Sequence, residues 1–325
     1  MAGIFARQIN LFRAGGSYLH GTLTGDPSTA GMPLSVSFEL TNHCNLRCPE
    51  CASGSEIMKR ERGFMDPELY KRVISELTPY LLYVNLYFQG EPMMHPGFFS
   101  FPGFSGDIFT VVSTNGHFLS AENSEKLARS GLRKLIVSLD GMDQETYSEY
   151  RKNGDFGKVI EGIRNVSEAI AGMRSPLKLE IQFLVNKFNE HQIAGAKRLA
   201  AETGAKLRLK SMQVIDPRDS GRWMPVADKF RRYTEANGTF RIRNRLPDRC
   251  MRLWFNPVVT WDGKVIPCCF DKDAEFVMGD LKNESFRSVW NGAAYKDFRK
   301  RLLSGRNKIS ICMNCTSGLN RKIRR

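Results

Sequence analysis

Between residues 34 and 212, short β-rich runs alternate with longer stretches whose apolar positions recur at helical spacing. The runs at 33–40 (PLSVSFEL), 83–88, 109–114, 134–139, 178–185 and 205–212 predict six strands. Asp66-Pro67, an N-cap followed by a first-turn proline, opens a helix expected to reach Leu77. Further helices are expected near 120–130, 143–172 and 189–203. Strand–helix alternation of this kind predicts a parallel sheet, open or closed as a partial barrel, with its chemistry at the carboxyl ends of the strands.

At the start of the chain, Ile4, Phe5, Ile9 and Phe12 recur at helical spacing among Arg7 and Arg13. A helix lying on a membrane surface would show this pattern, but the expectation taken here is a helix docked on the protein's own core. After the sixth strand, 216–225 is looser and a helical segment is expected to run to about 237. PVVTWDGKVIPCCF (257–270) predicts a hairpin turning at Asp262-Gly263, and 285–303 predicts one helix. The basic tail 319–325 is expected to fray. The expected organisation is an extension (1–33), an α/β domain (34–237), a small α+β domain (238–318) and the tail (319–325).

Composition adds three constraints. The 325 residues are 42% apolar with 21 Phe and 4 Trp, enough for a large core and unlike a disordered chain. No run of 18 apolar residues and no secretory pattern is present, so neither a membrane span nor export is expected, and the reading is cytoplasmic. The formal charge of +14 favours acidic partners. Nucleic acid would satisfy that charge, but no recognition motif for it is present and none is expected as a partner.

The eight cysteines are clustered: three at 44–51, none at 52–249, five at 250–315. Without a secretory signal, such clusters point to metal or iron–sulfur ligation. Cys44, Cys48 and Cys51 fall on one short loop directly after the first strand. Three thiolates can hold three irons of a four-iron cubane and leave the fourth open for chemistry. A zinc site is the alternative, but it would need a fourth ligand, and His43 beside Cys44 is badly placed to close that tetrahedron.

Thr41-Asn42-His43-Cys44-Asn45-Leu46-Arg47-Cys48-Pro49-Glu50-Cys51 resembles the signature of the radical S-adenosylmethionine superfamily. The resemblance implies a [4Fe–4S] cluster on the three cysteines and S-adenosylmethionine on the open iron. It also implies reductive cleavage to a 5′-deoxyadenosyl radical and hydrogen abstraction from a substrate. Glu50 departs from the family, where an aromatic residue is frequent. Gln89-Gly90-Glu91-Pro92 after the second strand resembles the family's Gly-Gly-Glu-Pro element, with Gln for the first Gly. By the same resemblance Gln89, Gly90, Glu91, Ser113, Asn115, Ser138 and Asp140 bind the cofactor; as bare sequence, Asn-Gly and Asp-Gly are also ordinary turns. Gln182, Asn186, Lys210 and Gln213 lie near the ends of the fifth and sixth strands, and His95 reads as structural.

Cys250, Cys268, Cys269, Cys312 and Cys315 form the second group. Alternation along a strand points Cys268 and Cys269 to opposite faces, leaving four ligands and a spare. The region resembles the SPASM and twitch auxiliary-cluster domains through Cys250-x₂-Leu253-Trp254, Asp262-Gly263-x₄-Cys268-Cys269, Gly279-Asp280-Leu281, Val289-Trp290-Asn291 and Cys312-x₂-Cys315. The resemblance takes Cys268 as the ligand, with Cys250, Cys312 and Cys315; a zinc ribbon is the other reading. The implied fold is a partial (β/α)6 TIM-like barrel with a small C-terminal α+β SPASM/twitch iron–sulfur domain. Seven thiolates on two [4Fe–4S]²⁺ clusters would lower the charge to about +11.

These features predict an oxidoreductase or maturase using S-adenosylmethionine and two [4Fe–4S] clusters, one binding S-adenosylmethionine and one auxiliary. The leading expectation is two-electron oxidation of an alcohol of the sugar or cyclitol kind. Cross-linking or side-chain oxidation of a peptide is the alternative; the roughly 33 residues before the first strand, too few for a leader-recognition domain, tilt toward a small molecule or a short peptide bound without such a domain. A non-catalytic electron carrier and a zinc-bound nucleic-acid module are the remaining classes. Expected partners are a small-molecule or peptide substrate, acidic ones included, and an acidic electron donor such as flavodoxin or ferredoxin.

Overall fold

In the computed structural model, which describes residues 2–243 and 246–315, strands and helices alternate between residues 35 and 211. The elements in chain order begin with α1 (Ala2–Thr24), β1 (Ser35–Phe38), α2 (Pro67–Leu77), β2 (Tyr83–Asn85), α3 (Phe101–Phe104), β3 (Phe109–Thr114) and α4 (Ala121–Arg129). There follow β4 (Lys134–Ser138), α5 (Gln144–Tyr150), α6 (Phe156–Met173), β5 (Lys178–Val185), α7 (Ile193–Glu202), β6 (Lys206–Ser211), β7 (Tyr233–Ala236) and β8 (Thr239–Ile242). The chain continues through α8 (Arg252–Phe255), β9 (Val258–Val259), β10 (Lys264–Ile266), β11 (Gly279–Asp280), α9 (Phe286–Asn291), α10 (Ala293–Gly305) and α11 (Ser310–Met313). The expected tail 319–325 lies outside the described residues.

The chain forms two units. One holds the chain up to His43, Lys59–Val111 and the chain from Leu246 to Cys315; the other holds Cys44–Met58 and the chain from Val112 to Arg243. In the first unit the strand order is β11-β10-β9-β1-β2-β3. β1 is parallel to β2 and to β9, whereas β9, β10 and β11 pair antiparallel. All four residues of β1 are buried, as expected of a strand covered on both faces. α2 starts where Asp66 accepts the Glu68 N–H at 3.0 Å, and it buries Leu69, Tyr70, Val73, Ile74 and Leu77. Each such side chain contributes roughly 1.5–3 kcal/mol of burial.

The second unit continues with the end of β3, then β4, β5 and β6 in order, β4 to β6 running parallel. Motif residues stand at the ends of these strands because a parallel sheet brings every carboxyl end to one edge.

Four expectations need correction. The helix expected to reach 237 is instead the β7–β8 hairpin, turned by Asn237 and Gly238 at φ 53° and 71°. Both positive angles suit a primed two-residue turn, and Asn-Gly is its usual pair. The stretch 143–172 breaks after Tyr150, where Asn153 adopts φ 65° and Asp155 recaps the chain by accepting the Lys158 N–H. The helix expected at 285–303 breaks at Gly292, whose ψ of 170° ends α9. Finally, α1 docks with the face opposite to the expected one. Asn10, Ala14, Ser17 and Gly21 are buried, while Phe5, Ile9 and Phe12 face outward.

Candidate active site

The Cys44–Cys51 loop lies in the second unit, held from several sides. Cys48 is buried in an apolar cluster with Leu46, Tyr150, Met212, Val214, Trp223 and Tyr233, and Cys44 and Cys51 pack against the same cluster. Gly54 lets the loop close on itself, because a Cβ there would lie 2.6 Å from the Cys48 nitrogen. Glu50, between two cysteines, accepts the indole N–H of Trp223 at 2.8 Å and the Ile215 N–H at 2.7 Å. This chain thus spends its departure from the family pattern on fastening the loop to the segment after β6.

Nitrogen donors face the sulfurs. The Leu46 N–H lies 3.5 Å and Asn115 Nδ2 3.9 Å from Cys44 Sγ, and Arg151 Nη1 lies 3.7 Å from Cys48 Sγ. Burial pushes the Cys48 thiol up, and the Arg151 charge draws it partly back. Among the described residues no three His, Cys, Asp or Glu side chains are grouped tightly enough for a single metal ion. Three thiols of one loop with N–H donors and a guanidinium fit instead the electron-rich sulfurs of an iron–sulfur cluster.

Asn115 also donates to Asn45 Oδ1 at 2.7 Å, tying the end of β3 to the loop. Asp140, buried after β4, accepts Arg151 Nε at 2.6 Å on one oxygen and the Leu184 N–H at 2.7 Å on the other. Its carboxylate aims Arg151, which in turn reaches Cys48. Ser138 is the buried last residue of β4, and Ser113 is half-buried in β3. Gln182 lies within β5, and Lys210 within β6 with Gln213 just after it. Asn186 is engaged with its own turn, accepting the Phe188 N–H.

In the first unit, Gly90 sits at φ 73° against the Thr41–His43 backbone, and the Glu91 N–H donates to the His43 carbonyl at 2.7 Å. Glu91 is buried and its carboxylate accepts the Met93 N–H. Gln89 is buried, and its Oε1 has no hydrogen-bond partner among the described residues. His95 has both ring nitrogens on backbone groups, Met65 O and Gly97 N–H, which is the structural role expected of it.

The second cysteine group lies wholly in the first unit. Cys268 interacts electrostatically with Cys269, Cys250 and Cys315, and Cys312 with Cys315 and Cys250. Burial is the main cause pushing Cys268 well up and Cys312 up to about 12, with the neighbouring thiols adding to it. Two cations answer. Arg252 Nη1 lies 3.4 Å from Cys269 Sγ, and Arg306 opposes the rise at Cys312. Buried thiols whose charges repel one another fit a positive centre placed among them.

The sequence matches the model of the Radical SAM superfamily over residues 38–181 and that of an iron–sulfur cluster-binding domain, SPASM, over residues 250–316. It is 30% identical over 306 residues to the AdoMet-dependent heme synthase of Methanosarcina barkeri, covering 82% of this chain and 84% of that one. The chain belongs to the radical SAM superfamily. This radical SAM enzyme is also 22% identical over 289 residues to the S-adenosyl-L-methionine-dependent 2-deoxy-scyllo-inosamine dehydrogenase of Niallia circulans, covering 87% of this chain and 92% of that one. Its fold is similar to Streptococcus suis SuiB bound to precursor peptide SuiA, with a TM-score of 0.64, 16% identity, and coverage of 93% and 73% of the two chains. The α/β fold, with its mostly parallel sheet and C-terminal SPASM domain, is the one expected. S-adenosylmethionine and [4Fe–4S] clusters are the enzyme's cofactors. No helix is long and apolar enough to cross a membrane among the described residues.

Arg151, Arg252 and Arg306 are absent from the sequence-based set of site residues. Nothing in their spacing marks them, since each acts on a sulfur brought near only by folding. Replacing Arg151 by Met removes a buried cation beside Cys48 and strands the Asp140 carboxylate. A cluster held by this loop would then be harder to reduce, by on the order of 60–120 mV. A redox titration followed by electron paramagnetic resonance measures this, and an unchanged potential would exclude the electrostatic role.

Proposed function

We propose that this radical SAM enzyme performs a two-electron oxidation of a small molecule, converting a secondary alcohol of the sugar or cyclitol kind to a ketone. The observation that carries the reading is the gathering of the second cysteine group, with Arg252 and Arg306 beside it. Four thiolates, from Cys250, Cys268, Cys312 and Cys315, would close a cluster's iron positions and leave it to accept electrons rather than bind substrate. Cys44, Cys48 and Cys51 would hold the first cluster. Gln89, Gly90, Glu91, Ser113, Asn115, Ser138 and Asp140 would line the S-adenosylmethionine pocket, in a domain spanning 34–237 followed by the auxiliary domain at 238–318. When bound, these groups supply a hydrogen-abstracting radical and a sink for one electron. The carbinol carbon thus loses a hydrogen atom, then an electron, and the hydroxyl loses its proton as the C=O bond forms.

The near end-to-end match to the 2-deoxy-scyllo-inosamine dehydrogenase supports a small substrate. The likeness to SuiB, seen bound to a precursor peptide, supports peptide modification as the second reading. The net charge of +14 suits an acidic electron donor of the flavodoxin or ferredoxin kind.

The test is anaerobic reconstitution, iron and sulfide counting, then reaction with dithionite, S-adenosylmethionine and a panel of cyclitols and aminocyclitols deuterated at the carbinol carbon. About eight irons, deuterium in 5′-deoxyadenosine and one ketone per turnover are expected. Deuterium transfer only from peptides would overturn the substrate class, and four irons would overturn the auxiliary cluster. Cys268→Ala should lose about half the iron and the ketone while still forming 5′-deoxyadenosine. Cys269→Ala should change neither; the reverse outcome would exchange their roles.

A further inference from the structure

Asn115 presents its Nδ2 to Asn45 Oδ1 at 2.7 Å and to Cys44 Sγ at 3.9 Å. An amide turned the other way would set a carbonyl oxygen against that sulfur. The choice between the two orientations rests on what holds Oδ1. Two groups of His117 do so, its backbone N–H at 3.1 Å and its ring Nδ1 at 3.0 Å.

The proton on Nδ1 is itself fixed by the fold. His117 is buried, and its other ring nitrogen, Nε2, faces the Asp155 N–H at 2.9 Å. A backbone N–H can only donate, so Nε2 accepts and a neutral ring carries its proton on Nδ1. Burial holds the imidazole below its ordinary value, which keeps the ring neutral at neutral pH. Both ring nitrogens are thus engaged, and His117 is neither a metal ligand nor a general base. Every bond of the series donates toward the sulfur, from the Asp155 N–H through imidazole and amide to Cys44. Bonds aligned in this way polarise one another.

We propose that His117 is a positioning residue: through Asn115 it keeps an N–H donor on Cys44 and so eases reduction of a cluster held there. The inference rests on the reading of Cys44 as a cluster ligand. A donor to a ligating sulfur stabilises the extra negative charge of the reduced state. The imidazole also ties the end of β3 to Asp155, the cap of α6, and that tie alone would be a structural role. The two contacts can be removed separately. Asparagine places a donor where Nδ1 stands, and glutamine places an acceptor where Nε2 stands.

A redox titration of the reconstituted full-length protein, followed by electron paramagnetic resonance, tests the proposal on the signal that Cys44→Ala removes. His117→Gln keeps the Asp155 contact and loses the donor to Asn115. Its reduced-to-oxidised ratio at a fixed potential should fall on the order of tenfold, which is about 59 mV for one electron. Its iron content and melting temperature should stay close to wild type. His117→Asn does the opposite, so it should melt earlier while its potential stays near wild type. In an Asn115→Ala background, His117→Gln should shift the potential no further. An unchanged potential in His117→Gln would overturn the proposal. So would equal shifts in the Gln and Asn variants, or a shift that persists without the Asn115 amide. If Cys44→Ala removes no signal, the ligand assignment fails and the proposal fails with it.

Discussion

Gly90→Ala is expected to lower 5′-deoxyadenosine formation at least about 100-fold without loss of iron. The residue sits at φ 73°, where a Cβ costs roughly 1–2 kcal/mol by itself. That Cβ would also stand 2.5 Å from the Thr41 carbonyl oxygen and 2.6 Å from that of His43. Both obstacles are backbone, so no rotamer change relieves them and the chain before Cys44 must move. The same His43 carbonyl accepts the Glu91 N–H, so the displacement disturbs both sides of the proposed cofactor-binding turn together. The cysteines are untouched, and the deficit should appear in S-adenosylmethionine affinity and in turnover, read by titration calorimetry and product chromatography. Gly106→Ala is the matched control. It carries φ 60° but has open space for a Cβ, so it should lose a little stability and no activity. Equal activity in the two variants would refute the close-approach argument.

What the sequence disclosed was local. The six strands were readable because each is a short β-rich run closed by a turn, and the motif residues lie at or near the ends of those runs. The Cys44–Cys51 loop and the Gly90 turn could be singled out because residue type and spacing mark them. The β7–β8 hairpin was also locally encoded, in Asn237-Gly238, and was obscured by the charged, weakly patterned stretch around it. The orientation of α1 was not readable. Apolar spacing gives the existence of a face, but Asn10 and Ser17 turn inward only because Met32 and Ala30 offer backbone partners 22 and 13 residues away. The cations beside the thiols were hidden for the same reason: Arg151 reaches Cys48 across 103 positions of sequence.

A buried ion pair that reaches much farther along the chain was hidden in the same way. Glu39, fully buried directly after β1, is gripped by Arg60 through two hydrogen bonds of 2.7 and 2.8 Å. Arg60 further donates to the Lys272 carbonyl at 3.0 Å, and the neighbouring Lys59 N–H to Asp273 at 2.9 Å. Within the first unit this pair therefore binds three segments together, one leading into the first cysteine loop and one following Cys269. Arg60→Met should cost about 3–5 kcal/mol, because it leaves Glu39 a buried carboxylate facing little more than the Trp261 N–H. A fall in melting temperature on the order of 10 °C follows. Burial already pushes the Glu39 carboxyl up against the pull of Arg60, and without that pull it rises further. A raised carboxyl stabilises below its unfolded value and loses that contribution as pH rises through the folded one. The variant should thus be weakest at neutral pH and draw closer to wild type as the solution is acidified. Glu39→Leu combined with Arg60→Met removes both charges and should recover most of the loss. A double variant as unstable as Arg60→Met alone would show that the tie to Lys272, and not the ion pair, holds these segments.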